Sequence, residues 1–335
     1  MLADSAETKL TFSGPAPRRK PVEESPFPKD MAAFLQRLQV LFGSRFQVIK
    51  PIAIGGMATI VQLRHGLHHG LLVAKVLHSA LSDRPEVVSA FRAEAVHLAR
   101  LAGHPNIVPV FDFAEMDGLF YMLMPYIEGE DLDCILKRSG ALPEREALMM
   151  ASQLAGVLAH AELHGVTHCD ISPGNIRLDC FGFYRLLDFG ISRSSSTVRQ
   201  QRALGGTPLY ASPEQTVGHQ PDIRSDIYSL GVVLYEALTG ETLLSANSLD
   251  ELARKCVSGE WKLPKTLPGG EAVATLLSRM LATRPEERFA SAYELSGALA
   301  AYGYPRPEFR ALPAERSAKA PAEPRKRRLS DAPAS

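Results

Sequence analysis

HCDISPGN (residues 168–175) and LLDFGIS (186–192) are the stretches whose reading decides the fold. The first sets His168, Asp170 and Asn175 on one short segment with a Pro-Gly turn signal, and the second ends an apolar run on Asp188. Upstream, LLVAKVL carries Lys75, and AFRAEA places Glu94 inside PEVVSAFRAEAVHLARLAG (85–103), whose apolar residues recur at helical spacing. Each fragment alone is weak. A lysine in an apolar strand is usually an edge residue snorkelling to solvent, and a DFG is usually a turn. Their joint order along the chain carries the argument.

Outward from these fragments, residues 46–76 read as short β segments, RFQVIKPIAI, TIVQLRHG and GLLVAKVL, broken by Gly-Gly, Gly66 and Gly70. LFYMLMPYI (119–127) is a further strand-like run. From Pro143 onward helices dominate: EREALMMASQLAGVLAHAELHG closes on Gly165 and SDIYSLGVVLYEALTG closes on Gly240. The expected class is therefore α+β, a small β-rich lobe followed by a larger helical one, and ligands often bind between lobes of that kind. Five of the 24 prolines fall in residues 1–30 and six in 305–335, so both ends read as tails with too little apolar surface to offset chain ordering. The expected organisation is a disordered tail (1–30), a short docking helix (31–45), a domain (46–302, lobes 46–124 and 128–302) and a Pro/Ala/basic tail (303–335). In the docking segment Phe34, Leu35, Leu38 and Leu41 share helical spacing between Asp30 as N-cap and Gly43 as stop.

Lys+Arg and Asp+Glu both count 37, so no whole-chain charge draws the protein to nucleic acid or a membrane surface. The four cysteines, Cys134, Cys169, Cys180 and Cys256, show no CxxC spacing, which fits a reducing compartment. No apolar window approaches a membrane span and the first residues lack a secretory h-region, so a cytoplasmic location is expected.

The ordered fragments resemble the eukaryotic-like Ser/Thr protein kinases, particularly bacterial ones, over roughly residues 46–302. The resemblance implies a bilobal protein-kinase-like fold, ATP and Mg²⁺ as cofactors, and protein serine or threonine hydroxyls as substrates. It implies that Asp170 orients the hydroxyl and accepts its proton, that Lys75 holds the α/β-phosphates, and that Glu94 pairs with Lys75. Asn175 and Asp188 would bind the metal. Nucleotide contacts would come from Ile52, Ala53, Gly55, Gly56, Ile60, Val73, Lys75, Met124, Pro125 and Ile127, with Asp131 reaching the ribose or serving as a solvated helix-start residue. GGTPLYASPEQ (205–215) resembles the peptide-positioning loop and A-P-E element, with Thr207 near the catalytic Asp. Asp226 resembles the aspartate that caps the catalytic loop, and Arg288 the buried partner of Glu214, the alternative being a surface ion pair.

Several positions depart from that pattern. Ala53 and Ala58 replace two loop glycines, Ser172 replaces a lysine near the transferred phosphate, and Arg177 stands where an apolar residue forms the floor under adenine. Either the Arg177 stem covers the base or its strand is shifted. Cys169 replaces the arginine that binds activation-loop phosphate, so control by phosphate at Ser194, Ser195, Ser196 or Thr197 is not expected. A pseudokinase scaffold and a small-molecule phosphotransferase are the alternatives. The peptide-positioning loop speaks against the second. Ser330, beside Arg325-Lys326-Arg327-Arg328, is a candidate phosphorylation site, with an unmodified solubilising tail as its alternative.

Overall fold

The computed structural model describes residues 30–189, 209–246, 248–264 and 266–302. The expected tails, Ser330, Thr207 and the hydroxyls at 194–197 lie outside the described residues. The chain divides into two compact units, one of residues up to 103 with 108–127, the other of 104–107 with 128 onward.

The first unit is built on an antiparallel sheet with strand order β1-β2-β3-β5-β4. The strands are β1 (Phe46–Ile54), β2 (Ala58–His65), β3 (Leu71–Leu77), β4 (Asp112–Met116) and β5 (Leu119–Pro125), with helices α1 (Met31–Phe42), α2 (Ser79–Ser82) and α3 (Pro85–Arg100). Side chains alternate across a strand, and here both faces are covered. Leu72, Ala74 and Val76 of β3 with Leu119, Tyr121 and Leu123 of β5 join Leu38 and Phe42 of α1 in one core. Leu77 of β3 with Phe120 and Met122 of β5 joins Val87, Phe91 and Ala95 of α3 in another. Cover on both faces explains why LLVAKVL and LFYMLMP run apolar without clean alternation. Asp30 caps α1 by accepting from Ala33 N–H at 3.0 Å, and Gly43 ends it at a positive φ of 56°.

The second unit holds a short sheet of β6 (Gly129–Asp131), β7 (Ile176–Asp179) and β8 (Tyr184–Leu186). Its helices are α4 (Leu132–Ser139), α5 (Glu144–Leu163), α6 (Pro213–Thr216), α7 (Ile223–Thr239), α8 (Leu249–Ser258), α9 (Gly270–Met280) and α10 (Ala292–Ala301). Helix α7 is buried without a break from Ser225 to Tyr235, so it is the central post of this unit rather than an amphipathic surface helix. Residues 104–107 group with this unit and not, as the sequence division had it, with the sheet. Asn106 Nδ2 donates to Gln153 Oε1 (2.7 Å) and to the Tyr184 carbonyl (2.9 Å), and Ile107 bridges to Leu186. No helix among the described residues is long and apolar enough to cross a membrane.

Candidate active site

Strand parity in the first unit sends Lys75 to the α3 side of β3, where Glu94 faces it. Lys75 Nζ and Glu94 Oε1 meet at 2.6 Å with both side chains buried. Removing either partner would strand the other charge in a dry site, so the pair is a geometric commitment. The β1–β2 pairing shifts register between Pro51 and Ala53, and beyond that irregularity Ala53 pairs with Ile60 and Gly55 N–H donates to the Ala58 carbonyl at 2.9 Å. None of Ala53, Gly55, Gly56 and Ala58 has a left-handed backbone, so a Cβ at 53 and 58 adds no backbone strain. Ile60 lies opposite Lys75 and Val73 opposite Met124, while Ile52 is exposed. Met124 is buried in β5, Pro125 ends that strand, and Ile127 is the last residue of the unit.

In the second unit β7 starts immediately after Asn175, and β8 ends two residues before Asp188, so the small sheet anchors the segments bearing both residues. The loop between is held from several sides. Asp226, in the first turn of α7, accepts His168 N–H on Oδ2 and Cys169 N–H on Oδ1, both at 2.7 Å. Burial pushes the Asp226 carboxyl up to about 7, against the downward pull of those two N–H groups. His168 Nδ1 accepts Asp170 N–H at 3.2 Å, while Nε2 lies 2.9 Å from the Leu187 carbonyl. A neutral imidazole protonated on Nε2 is the form that makes both bonds. Its ring meets the buried Phe189 edge-on, centroids 4.7 Å apart. Asn175 Nδ2 donates to the Asp170 carbonyl (2.8 Å) and to Asp170 Oδ2 (3.1 Å). That use of the amide nitrogen makes Oδ1 the atom of Asn175 able to bind a cation, and Asp188 adds a carboxylate; both are hard donors of the kind Mg²⁺ takes. Cys169 and Asp188 are left-handed at φ 65° and 51°, which non-glycine residues adopt only when the surroundings impose it.

One alternative left open by the sequence is resolved by geometry. Arg288 and Glu214 form a bidentate pair at 2.8 and 2.9 Å with the arginine side chain fully buried, so the surface-pair alternative is wrong. Arg177 lies in β7 opposite Asp131 and Arg185. Its guanidinium bonds Asp131 Oδ1 (2.5 Å) and the Gly129 carbonyl (2.8 Å). Asp131 stands at the start of α4 as its N-cap residue, as the helix-start alternative had it, with no side-chain capping bond and its carboxylate engaged by Arg177. Asn106 and Gln215 escaped the sequence reading. The Ser-x-x-Gln spacing of Ser212 and Gln215 is a capping-box signal that could have marked the second.

The protein kinase domain family matches residues 46–297. Among curated proteins, the chain is similar to a probable serine/threonine-protein kinase, CPE1738, of Clostridium perfringens, at 32% identity over 77% of this chain and 38% of the relative. Serine/threonine-protein kinase PrkC of Bacillus subtilis is 32% identical over 75% of this chain and 39% of its own length. Serine/threonine-protein kinase PknA of Mycobacterium tuberculosis is 35% identical, with 79% and 63% covered. The chain thus spans well under half the length of the first two relatives and under two thirds of the third.

Proposed function

This chain belongs to the bacterial, eukaryotic-like type of the Ser/Thr protein kinase family, and from that premise we propose that it transfers the γ-phosphate of ATP to serine and threonine hydroxyls of proteins. The observation that carries the reading is the set of bonds around Asp170, with His168 fixing its N–H and Asn175 fixing both its carbonyl and one carboxylate oxygen. A carboxylate tethered through Oδ2 is held in one orientation to act as the base. The substrate oxygen forms a bond to the γ-phosphorus as the bond to the β–γ bridging oxygen breaks, ADP carries away that electron pair, and the hydroxyl proton passes to Asp170. Lys75, held by Glu94, neutralises the α/β-phosphates. Asn175 and Asp188 would hold Mg²⁺, which when bound supplies charge neutralisation for the phosphates.

Ile52, Ala53, Gly55, Gly56, Ile60, Val73, Met124, Pro125 and Ile127 serve the nucleotide in this reading. Asp131 is already engaged by Arg177, which supports a weakened ribose contact. A nucleotide-binding scaffold without transfer is the second reading, favoured by that Arg177–Asp131 pair and by Ser172. Labelled ATP, Mg²⁺ and a generic basic protein separate the two: transfer that disappears in Asp170→Asn supports the kinase, and ATP binding without transfer supports the scaffold. Position 169 carries a thiol rather than a cation, so activity is independent of activation-loop phosphate. Phosphatase treatment and replacement of residues 194–197 by alanine should each change the rate by less than roughly tenfold. Larger losses in both experiments would contradict this.

A further inference from the structure

The peptide unit that joins Cys169 to Asp170 is gripped at both ends. Its N–H, on Asp170, donates to His168 Nδ1 at 3.2 Å, and its carbonyl, on Cys169, accepts from Gln215 Nε2 at 2.8 Å. Immediately before it, the Cys169 N–H is held by Asp226 Oδ1 at 2.7 Å. These bonds bracket the left-handed backbone at Cys169, φ 65°, a conformation that costs a non-glycine residue on the order of 1–2 kcal/mol and persists only under such constraint.

The orientation of the Gln215 amide follows from its other contacts. Oε1 accepts the Ser212 N–H and the Ser212 hydroxyl, both at 3.0 Å, so the NH₂ group is the end that faces the Cys169 carbonyl. Ser212 and Gln215 are the N-cap and N3 residues of a capping box on α6, both buried. One side chain therefore caps α6 with its oxygen and clamps the loop with its nitrogen, across 46 residues of sequence. The same helix carries Glu214, which is locked to Arg288.

We propose that Gln215 is a positioning residue for Asp170: by clamping the Cys169 carbonyl it sets the backbone turn that aims the carboxylate. This deepens the kinase reading and rests on it. The base is then aligned by the folding of residues 212–216 onto the loop, a neutral hydrogen bond doing what a phosphate bound by a cation at position 169 would otherwise do. Ser212 is the partner that orients the clamp.

The test compares Gln215→Ala and Gln215→Glu with the wild-type protein and with Asp170→Asn, measuring kcat and the KM for ATP separately. Expected is a fall in kcat of roughly tenfold in both Gln215 variants, the scale of one lost hydrogen bond, with the KM for ATP within about twofold. The Glu variant keeps the acceptor toward Ser212 but turns an oxygen toward the Cys169 carbonyl. A protonated carboxyl can donate there and a carboxylate cannot; burial at position 215 and the facing carbonyl raise the carboxyl above its ordinary value of about 4.3, so its kcat relative to wild type should rise as pH drops from about 8.5 to about 5, while the Ala ratio stays flat. A purely structural role would not produce that split. Wild-type kcat in Gln215→Ala overturns the inference, and so does a pH-independent ratio for Gln215→Glu, which stands as the readout if the Ala variant does not fold. Absence of Asp170-dependent transfer in the wild type overturns the kinase reading itself and the clamp with it.

Discussion

Arg288 shows how much a single residue's surroundings decide. All five of its N–H donors are used: Nε on the Ala282 carbonyl, Nη1 on Glu214 Oε1 and the Arg224 carbonyl, Nη2 on Glu214 Oε2 and the Thr283 carbonyl. Its guanidinium also lies 4.9 Å from the centroid of the Tyr228 ring. Arg288→Ala leaves the largely covered Glu214 carboxylate without its cation, so a loss of about 3–5 kcal/mol is expected in urea unfolding, whereas an exposed pair would register under about 1 kcal/mol. The pair also sets a pH dependence. Burial raises the Glu214 carboxyl, but the Arg288 guanidinium and the Ser225 hydroxyl together hold it below the usual glutamate range. A lowered folded-state pKa means that the contribution is complete above the unfolded value of about 4.5 and fades as pH falls through the folded one. The stability gap between wild type and Glu214→Gln should therefore be constant near neutrality and shrink in acid; a gap that widened in acid would contradict the assignment. The pairing of these residues was legible through the resemblance. The burial was expected through the resemblance too, but the carbonyls of Arg224, Ala282 and Thr283 that take the remaining donors were not, because RPEERF is a charged segment that does not specify them.

At the scale of elements, β3 is decisive because it serves two faces. Leu72, Ala74 and Val76 bury under α1, and Lys75 meets Glu94 of α3 on the other side. The unbroken apolar run of LLVAKVL signals cover on both faces, and the spacing in DMAAFLQRLQVLFG signals a helix to provide it. Which face that helix covers depends on tertiary packing that periodicity does not encode. Leu38 is fully buried at this contact, so Leu38→Ala should cost about 2–5 kcal/mol in thermal or urea unfolding; an unchanged midpoint would mean that α1 does not pack as described. Helix α7 has the equivalent place in the second unit. Asp226→Asn keeps one acceptor and turns an NH₂ toward a backbone N–H of His168 or Cys169, an unsatisfied contact costing about 1–3 kcal/mol. Catalysis should fall with stability, and an Asn variant matching wild type in both would remove Asp226 from the loop's support.

For the whole molecule, the sequence was most informative where candidate residues come in a fixed order, as Lys75, Glu94, Asp170, Asn175 and Asp188 do, because that order pointed to the family. It was least informative where function is carried by contacts between distant segments. Gln215 reaches the loop over 46 residues and Asn106 reaches Tyr184 over 78, and neither contact leaves a local periodicity. The same long-range bonds moved 104–107 into the second unit. Both units nevertheless place the chemistry-bearing residues on ordered elements, Lys75 and Glu94 on β3 and α3, and Asp170 on a loop held by α7. The central claim is that Asp170 is a working base in a phosphotransferase that also needs Lys75. The most direct measurement is initial-rate transfer from labelled ATP with Mg²⁺ for the wild type, Asp170→Asn and Lys75→Met, with thermal unfolding of each as a check on folding. Expected are losses of at least about 10²-fold in both variants without loss of cooperative unfolding. Equal rates in all three proteins would contradict the kinase assignment.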